Sequence, residues 1–234
     1  MTSIQSPAPV SPRPATDLQA VLFDMDGTLV DTEGMWGDTE AEVTEALGGT
    51  WTDHDHRSNV GRAAGAVAGY IIDLTGTTVG PDRVVAMMYE AMRRRVEQGA
   101  QLRPGAAELV ADVAAAGIPA GLVTSTHRGL AETVLEQIGA AYFDVVVAGD
   151  EVAHNKPHPE PYLKAARLLG VDPTRCVAVE DSPTGVASAQ AAGCVTVAVP
   201  HKVPLEPAPG RTVIPSLEGV DAAWLRGLVE QPRG

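Results

Sequence analysis

Short apolar runs alternating with helix-patterned stretches restrict this chain more than any other feature. The runs occupy 20–23, 118–123, 145–148, 176–179 and 194–199, and helical patterns fill 105–116, 129–138, 159–169 and 184–192 between them. Runs so short and apolar on both faces suit strands buried on either side, hence a mostly parallel sheet covered by helices. Gly117, Gly139, Gly170 and Gly193 close the four helical stretches, where a left-handed C-cap is expected. The pattern implies an α/β fold, in which sites form just past the carboxyl ends of the strands.

One interval breaks the alternation. Between 34 and 99 no strand pattern occurs, and helical patterns lie near 35–47, 62–74 and 82–97. This reads as an all-helical insert over 34–100, entered near 32–34 and left near 99–103. The core is then 18–33 together with 101–234, preceded by a tail at 1–17. That tail carries SPAPVSPRPATD, too rich in proline and too poor in apolar residues to fold or to serve as a secretory signal. Gly61, Gly65 and Gly69 recur every four residues and suggest close helix packing. A phosphate loop would need GK[ST].

The formal net charge of −13 argues against nucleic acid or an anionic membrane surface as partner. No apolar run approaches the roughly 18–20 residues of a membrane span. Cys176 and Cys194, each inside an apolar run, read as buried thiols of a reducing compartment, so the expected location is the cytoplasm. So acidic a chain could hold a phosphate only by gathering positive charge locally, from a metal or from chosen Lys and Arg side chains.

Four motifs each follow an apolar run. The first is FDMDGTLVDTE at 23–33, where Asp24 and Asp26 would project together into the crevice above the sheet. A calcium loop is a poor reading of it, because the further ligands and the closing Glu are missing. The second is LVTST at 122–126, whose hydroxyls at Thr124 and Ser125 could bind phosphate beside a helix N-terminus. Thr126 reads as an N-cap. The third is NKPHPEPYL, with Lys156, one of three lysines, in a proline-stiffened loop. The fourth is VEDSPTGVASAQAAG, where Ser182 can cap and Pro183 open the next helix. Glu180 and Asp181 then face the crevice as an acid pair that needs a cation.

Taken in order, these motifs resemble the haloacid dehalogenase superfamily, in its phosphatase and β-phosphoglucomutase-like branch with a helical cap after the first motif. The resemblance spans about 18–200. It implies a Rossmann-like three-layer core with an inserted all-helical cap, and a magnesium-dependent phosphomonoesterase acting on a small phosphorylated metabolite, a sugar phosphate or similar. By the same resemblance Asp24 attacks phosphorus and Asp26 serves as acid and then base. Thr124, Ser125 and Lys156 hold the phosphoryl group. Asp24, Asp26 through its backbone carbonyl, and Asp181 ligate Mg2+, with Glu180 acting through a metal-bound water.

The alternative is a β-phosphoglucomutase-like phosphomutase. Such mutases tend to carry a His shortly after the DT of the first motif and a cap lysine. Here Trp36 stands in the first place, and 34–101 holds no lysine. A non-catalytic phospho-acceptor or binding module fits less well, since its acids would be placed differently and no motif position is lost. For the substrate's far end the cap offers Trp36, His54, His56, Arg57, Asn59 and Arg62. Asp53–His56 reads as an exposed polar loop and Arg93–Arg95 as a solvated helix face. His127 and Arg128 could line the mouth.

Overall fold

The computed structural model describes residues 18–59, 62–201 and 203–230, so the expectations for the tail and for Gly61 lie outside the described residues. Six strands form one sheet: β1 (Ala20–Phe23), β2 (Ala120–Val123), β3 (Val145–Val147), β4 (Cys176–Glu180), β5 (Val195–Ala198) and β6 (Arg211–Val213). Their order is β3-β2-β1-β4-β5-β6, and every pairing is parallel. The order reverses at β1, which places a topological switch point beside its carboxyl end.

Alternate residues of β1 feed two separate cores. Val21 and Phe23 join a cluster with α5 (Ala106–Ala115), α6 (Arg128–Ile138) and α9 (Ala222–Glu230). Ala20 and Leu22 join another with α7 (Glu160–Leu169) and α8 (Pro183–Ala191). The period-2 geometry of a strand makes both faces apolar, which is why the run shows no polar alternation. Gly117, Gly139, Gly170 and Gly193 all take positive φ, as the helix ends require. Ser182 accepts from the Gly185 N–H at 3.1 Å and Pro183 opens α8, as expected of a cap and an N1 proline.

Among the described residues, four helices lie between β1 and α5: α1 (Glu33–Ala46), α2 (Asp53–Asn59), α3 (Ala64–Thr75) and α4 (Pro81–Glu97). They surround a small core of their own, built from Val43, Val67, Ala68, Ile71, Val84 and Met88. The two crossings run side by side. The Asp31 N–H donates to the Gln101 carbonyl at 2.8 Å and the Arg103 N–H to that of Leu29 at 2.9 Å.

Several expectations change. Asp53–His56 is not a loop but the start of α2, with Asp55 buried. Short helices rich in His, Asp and Asn show no apolar period, so the pattern could not reveal it. β6 and α9 also escaped the reading, β6 because three half-buried residues at an edge carry little signal. A Cβ built at Gly65 or Gly69 meets nothing within 4 Å, so these glycines do not bring helices together. Arg94 and Arg95 both pair with Glu42, joining α4 to α1 rather than only facing water.

Asp55 locks α2 to its neighbours. It accepts from the Thr52 hydroxyl and N–H and from the Tyr70 hydroxyl at 2.6 Å. The bonds from Thr52, then that from Tyr70, pull its pKa down from 3.8 to about 2. A depressed carboxyl stabilises the fold above its unfolded pKa and loses that contribution as pH falls through the folded one. Asp55→Asn should therefore melt at a lower temperature than the parent near neutrality. The gap should close between pH 4 and pH 2, which thermal unfolding across that range would measure.

Candidate active site

The strand ends deliver the site. Asp24 follows β1 directly, its N–H bonded to the Val179 carbonyl at 3.0 Å, and Asp181 follows β4. Thr124, Ser125 and Thr126 follow β2, while Lys156 arrives on the loop after β3. Thr124, Ser125, Thr126, Lys156, Asp24, Asp26 and Asp181 all line one cleft of about 730 Å³, its open mouth included. The insert supplies the far wall, with Trp36, Glu40, His56, Asn59 and Tyr89 from its helices and Arg62 from the turn before α3.

Lys156 is the hub of the floor. Its side chain is only 4% exposed, and Nζ donates to Asp24 Oδ1 at 2.7 Å, Glu180 Oε1 at 2.6 Å and the Val123 carbonyl at 2.9 Å. The Tyr162 ring lies 5.3 Å from the ammonium, and the Tyr162 hydroxyl donates to the same Glu180 oxygen at 2.6 Å. Burial alone would lower the lysine's pKa, but the charges of Asp24 and Glu180 more than reverse it, and the ammonium stays protonated. Burial pushes the Asp24 carboxyl up from 3.8 to about 7, with Lys156 opposing the rise and Glu180 adding to it.

Three acids converge here. Asp24, Glu180 and Asp181 are all buried and offer ligand atoms within 4.8 Å of one another. Asp24 Oδ2 is buried without a hydrogen-bond partner. Gly27, at φ +81°, makes room for the third acid, since a Cβ there would lie 2.2 Å from Asp181 Oδ2. Hard carboxylate oxygens so close together, that of Asp24 without a hydrogen bond among them, fit a divalent oxygen-seeking cation such as Mg2+. Glu180 also has its own cradle. A Cβ at Gly185 would lie 1.9 Å from Glu180 Oε2, so only glycine fits there.

Asp26 is held by four donors. Thr32 and Trp36 donate to Oδ1 at 2.7 and 3.2 Å, and Thr126 and Thr124 to Oδ2 at 2.8 and 3.2 Å. This corrects the reading of Thr126. The residue before α6 is His127, which makes no side-chain cap, and the Thr126 hydroxyl turns to the acid instead. Trp36 reaches the cleft, as expected, but its N–H is spent on Asp26 and its ring packs edge-on against Tyr89. Arg62 reaches it too, held by Asn59 Oδ1 at 3.0 Å. His127 and Arg128 do not line the cleft. The His127 ring lies tilted against that of Tyr89, 4.8 Å between centroids, and faces Asp150 at 3.3 Å, and Arg128 binds Glu151 and the Val146 carbonyl.

The model of the haloacid dehalogenase-like hydrolases matches residues 18–193. This chain belongs to that family. It is 35% identical to protein CbbY of Rhodobacter capsulatus over 80% of this chain and 87% of that one. It is 34% identical to hexitol phosphatase B of Escherichia coli K12 over 77% of this chain and 83% of that one. Among solved structures, CbbY of Rhodobacter sphaeroides in complex with phosphate superposes with a TM-score of 0.81 at 29% identity, covering 89% of this chain and 99% of that one. For a haloacid dehalogenase-like hydrolase, a helical insert between β1 and β2 over an all-parallel sheet is the architecture this likeness carries.

Tyr162, Thr32, Thr126, Glu40 and Tyr89 were not assigned to the site from sequence. The first three stand inside the motif strings, so their proximity was available and only their direction was not. Glu40 and Tyr89 carry no local signal, because helix packing across the insert alone brings them to the cleft.

Proposed function

We propose that this hydrolase is a magnesium-dependent phosphomonoesterase of a small phosphorylated carbohydrate or similar metabolite, working through an aspartyl-phosphate on Asp24. The observation that carries the reading is the pinning of Asp24 by Lys156, one oxygen held and the other unpartnered, at the floor of a cleft roofed by the insert. In this reading 34–100 is a cap, and 18–33 with 101–234 is the catalytic core. Cys176 and Cys194 are buried thiols rather than halves of a disulfide, which supports a reducing, cytoplasmic setting. No helix among the described residues is long and apolar enough to cross a membrane.

An Asp24 oxygen attacks phosphorus, the ester P–O bond breaks, and Asp26 gives a proton to the departing oxygen. Asp26 then takes a proton from water, the water oxygen attacks the same phosphorus, and the bond to Asp24 breaks, releasing phosphate. Thr32 and Trp36 hold Asp26 in place through both steps; Ser125 offers its hydroxyl to the phosphoryl oxygens, and Thr124 and Lys156 join it by trading one bond each, to Asp26 and to the Val123 carbonyl, for one to phosphate. Asp24, the Asp26 carbonyl and Asp181 would hold Mg2+, with Glu180 behind them. When bound, the ion supplies neutralisation of charge on the transferring group.

Phosphate should be released from p-nitrophenyl phosphate in Mg2+. Excess EDTA should abolish release, and added Mg2+ should restore it and raise the melting temperature, because three buried acids then gain a dication. Full turnover after exhaustive chelation would remove the metal from the reading. Hydrolysis rather than transfer is favoured because no lysine occurs in 34–101 and the indole at Trp36 is committed to Asp26. Conversion of β-glucose 1-phosphate to glucose 6-phosphate faster than its hydrolysis would reverse that choice.

A further inference from the structure

The cap wall of the cleft carries a second buried carboxylate that the chemistry at phosphorus does not use. Glu40, on α1, lines the cleft with its side chain only 6% exposed. One oxygen meets His56 Nδ1, from α2, at 2.9 Å. No other hydrogen bond joins Glu40 to the described residues, which leaves the second oxygen for whatever fills the cleft. The pair is built rather than incidental. Gly37, one turn before Glu40, lets the imidazole lie against the helix, since a Cβ there would come 3.1 Å from His56 Cε1.

We propose that Glu40, held by His56, selects an uncharged polyhydroxylated leaving group by accepting hydrogen bonds from its hydroxyls, and turns away leaving groups that carry an anionic end. A half-committed carboxylate is an acceptor only, so it suits O–H donors and repels a carboxylate or second phosphate. Trp36, Tyr89, Val67 and Met88 line the same cleft and offer apolar faces to the C–H sides of a polyol. Among the described residues Arg62 is the one permanent cation on this wall, with one N–H held by Asn59, and no second Arg or Lys stands on the wall to pair with it on a second anion.

This inference rests on the phosphatase reading, and the test separates the two. The full-length protein with Mg2+ is assayed on p-nitrophenyl phosphate, sorbitol 6-phosphate, 2-phosphoglycolate and fructose 1,6-bisphosphate. The expected kcat/KM for sorbitol 6-phosphate exceeds those for the two esters with an anionic far end by about a hundredfold or more. In Glu40→Gln that preference should fall at least about tenfold, as a polar acceptor without charge no longer repels. Gly37→Ala, which favours the helix and changes no charge, should displace the imidazole and erode the preference through KM. Hydrolysis of p-nitrophenyl phosphate with no preference for the polyol ester, or with a preference untouched by both variants, would overturn this inference alone. No hydrolysis of any ester would overturn the phosphatase reading and this inference with it.

Discussion

Asp24→Asn should lower phosphate release by at least about a thousandfold and leave the protein as stable as before, or more so. The loss follows from removing the carboxylate proposed to take the phosphoryl group. The stability follows from linkage. Burial raises the folded carboxyl from 3.8 to about 7, so the folded state binds this proton more tightly than the unfolded chain does. Its contribution is greatest below about pH 4 and is lost as pH rises through 7, where the ionised group opposes folding. Asparagine keeps the shape without that charge, and Lys156 keeps Glu180 as a partner. Phosphate release and thermal unfolding of the variant at pH 5 and pH 8 would check both halves. Residual turnover within tenfold of the parent would remove Asp24 as the attacking group.

Lys156→Met should be the most destabilising single change at the site. It leaves Asp24 and Glu180 buried, close together and without their cation. Breaking a buried pair from one side costs about 3–5 kcal/mol, which for a chain of this size lowers the melting temperature by roughly 6–20 °C. Turnover should fall with it, since the same ammonium positions Asp24. Adding Glu180→Gln to Lys156→Met should recover part of the stability and none of the turnover. A single variant that melts within a degree or two of the parent would show that the hub carries little of the fold's stability.

Much of the core was legible because buried parallel strands cannot hide their composition. Ala20–Phe23, and Cys176–Glu180 up to its closing acid, are apolar on both faces, and their ends point to Asp24 and Asp181 without further information. The motif residues could be placed at strand ends for the same reason. Thr126 was misread because a hydroxyl before a helix has two possible uses, capping or reaching outward, and only the position of Asp26 decides between them. The helix at Asp53–Asn59 escaped because its stability comes from Asp55 reaching Thr52 and Tyr70, a contact no periodicity encodes. Gly65 and Gly69 show the converse error. Their four-residue spacing mimics a packing stripe, yet open space lies beside both.

The paired crossings at 29–31 and 101–103 have a consequence for how such a protein can change over time. Entry and exit segments that hydrogen-bond to each other make the intervening helices a detachable loop, closed at its base whatever its length. Lengthening or trading that loop costs the sheet little, since closure entropy grows only slowly with the number of residues enclosed. The reactive floor can thus be inherited unchanged while the roof above it is rewritten.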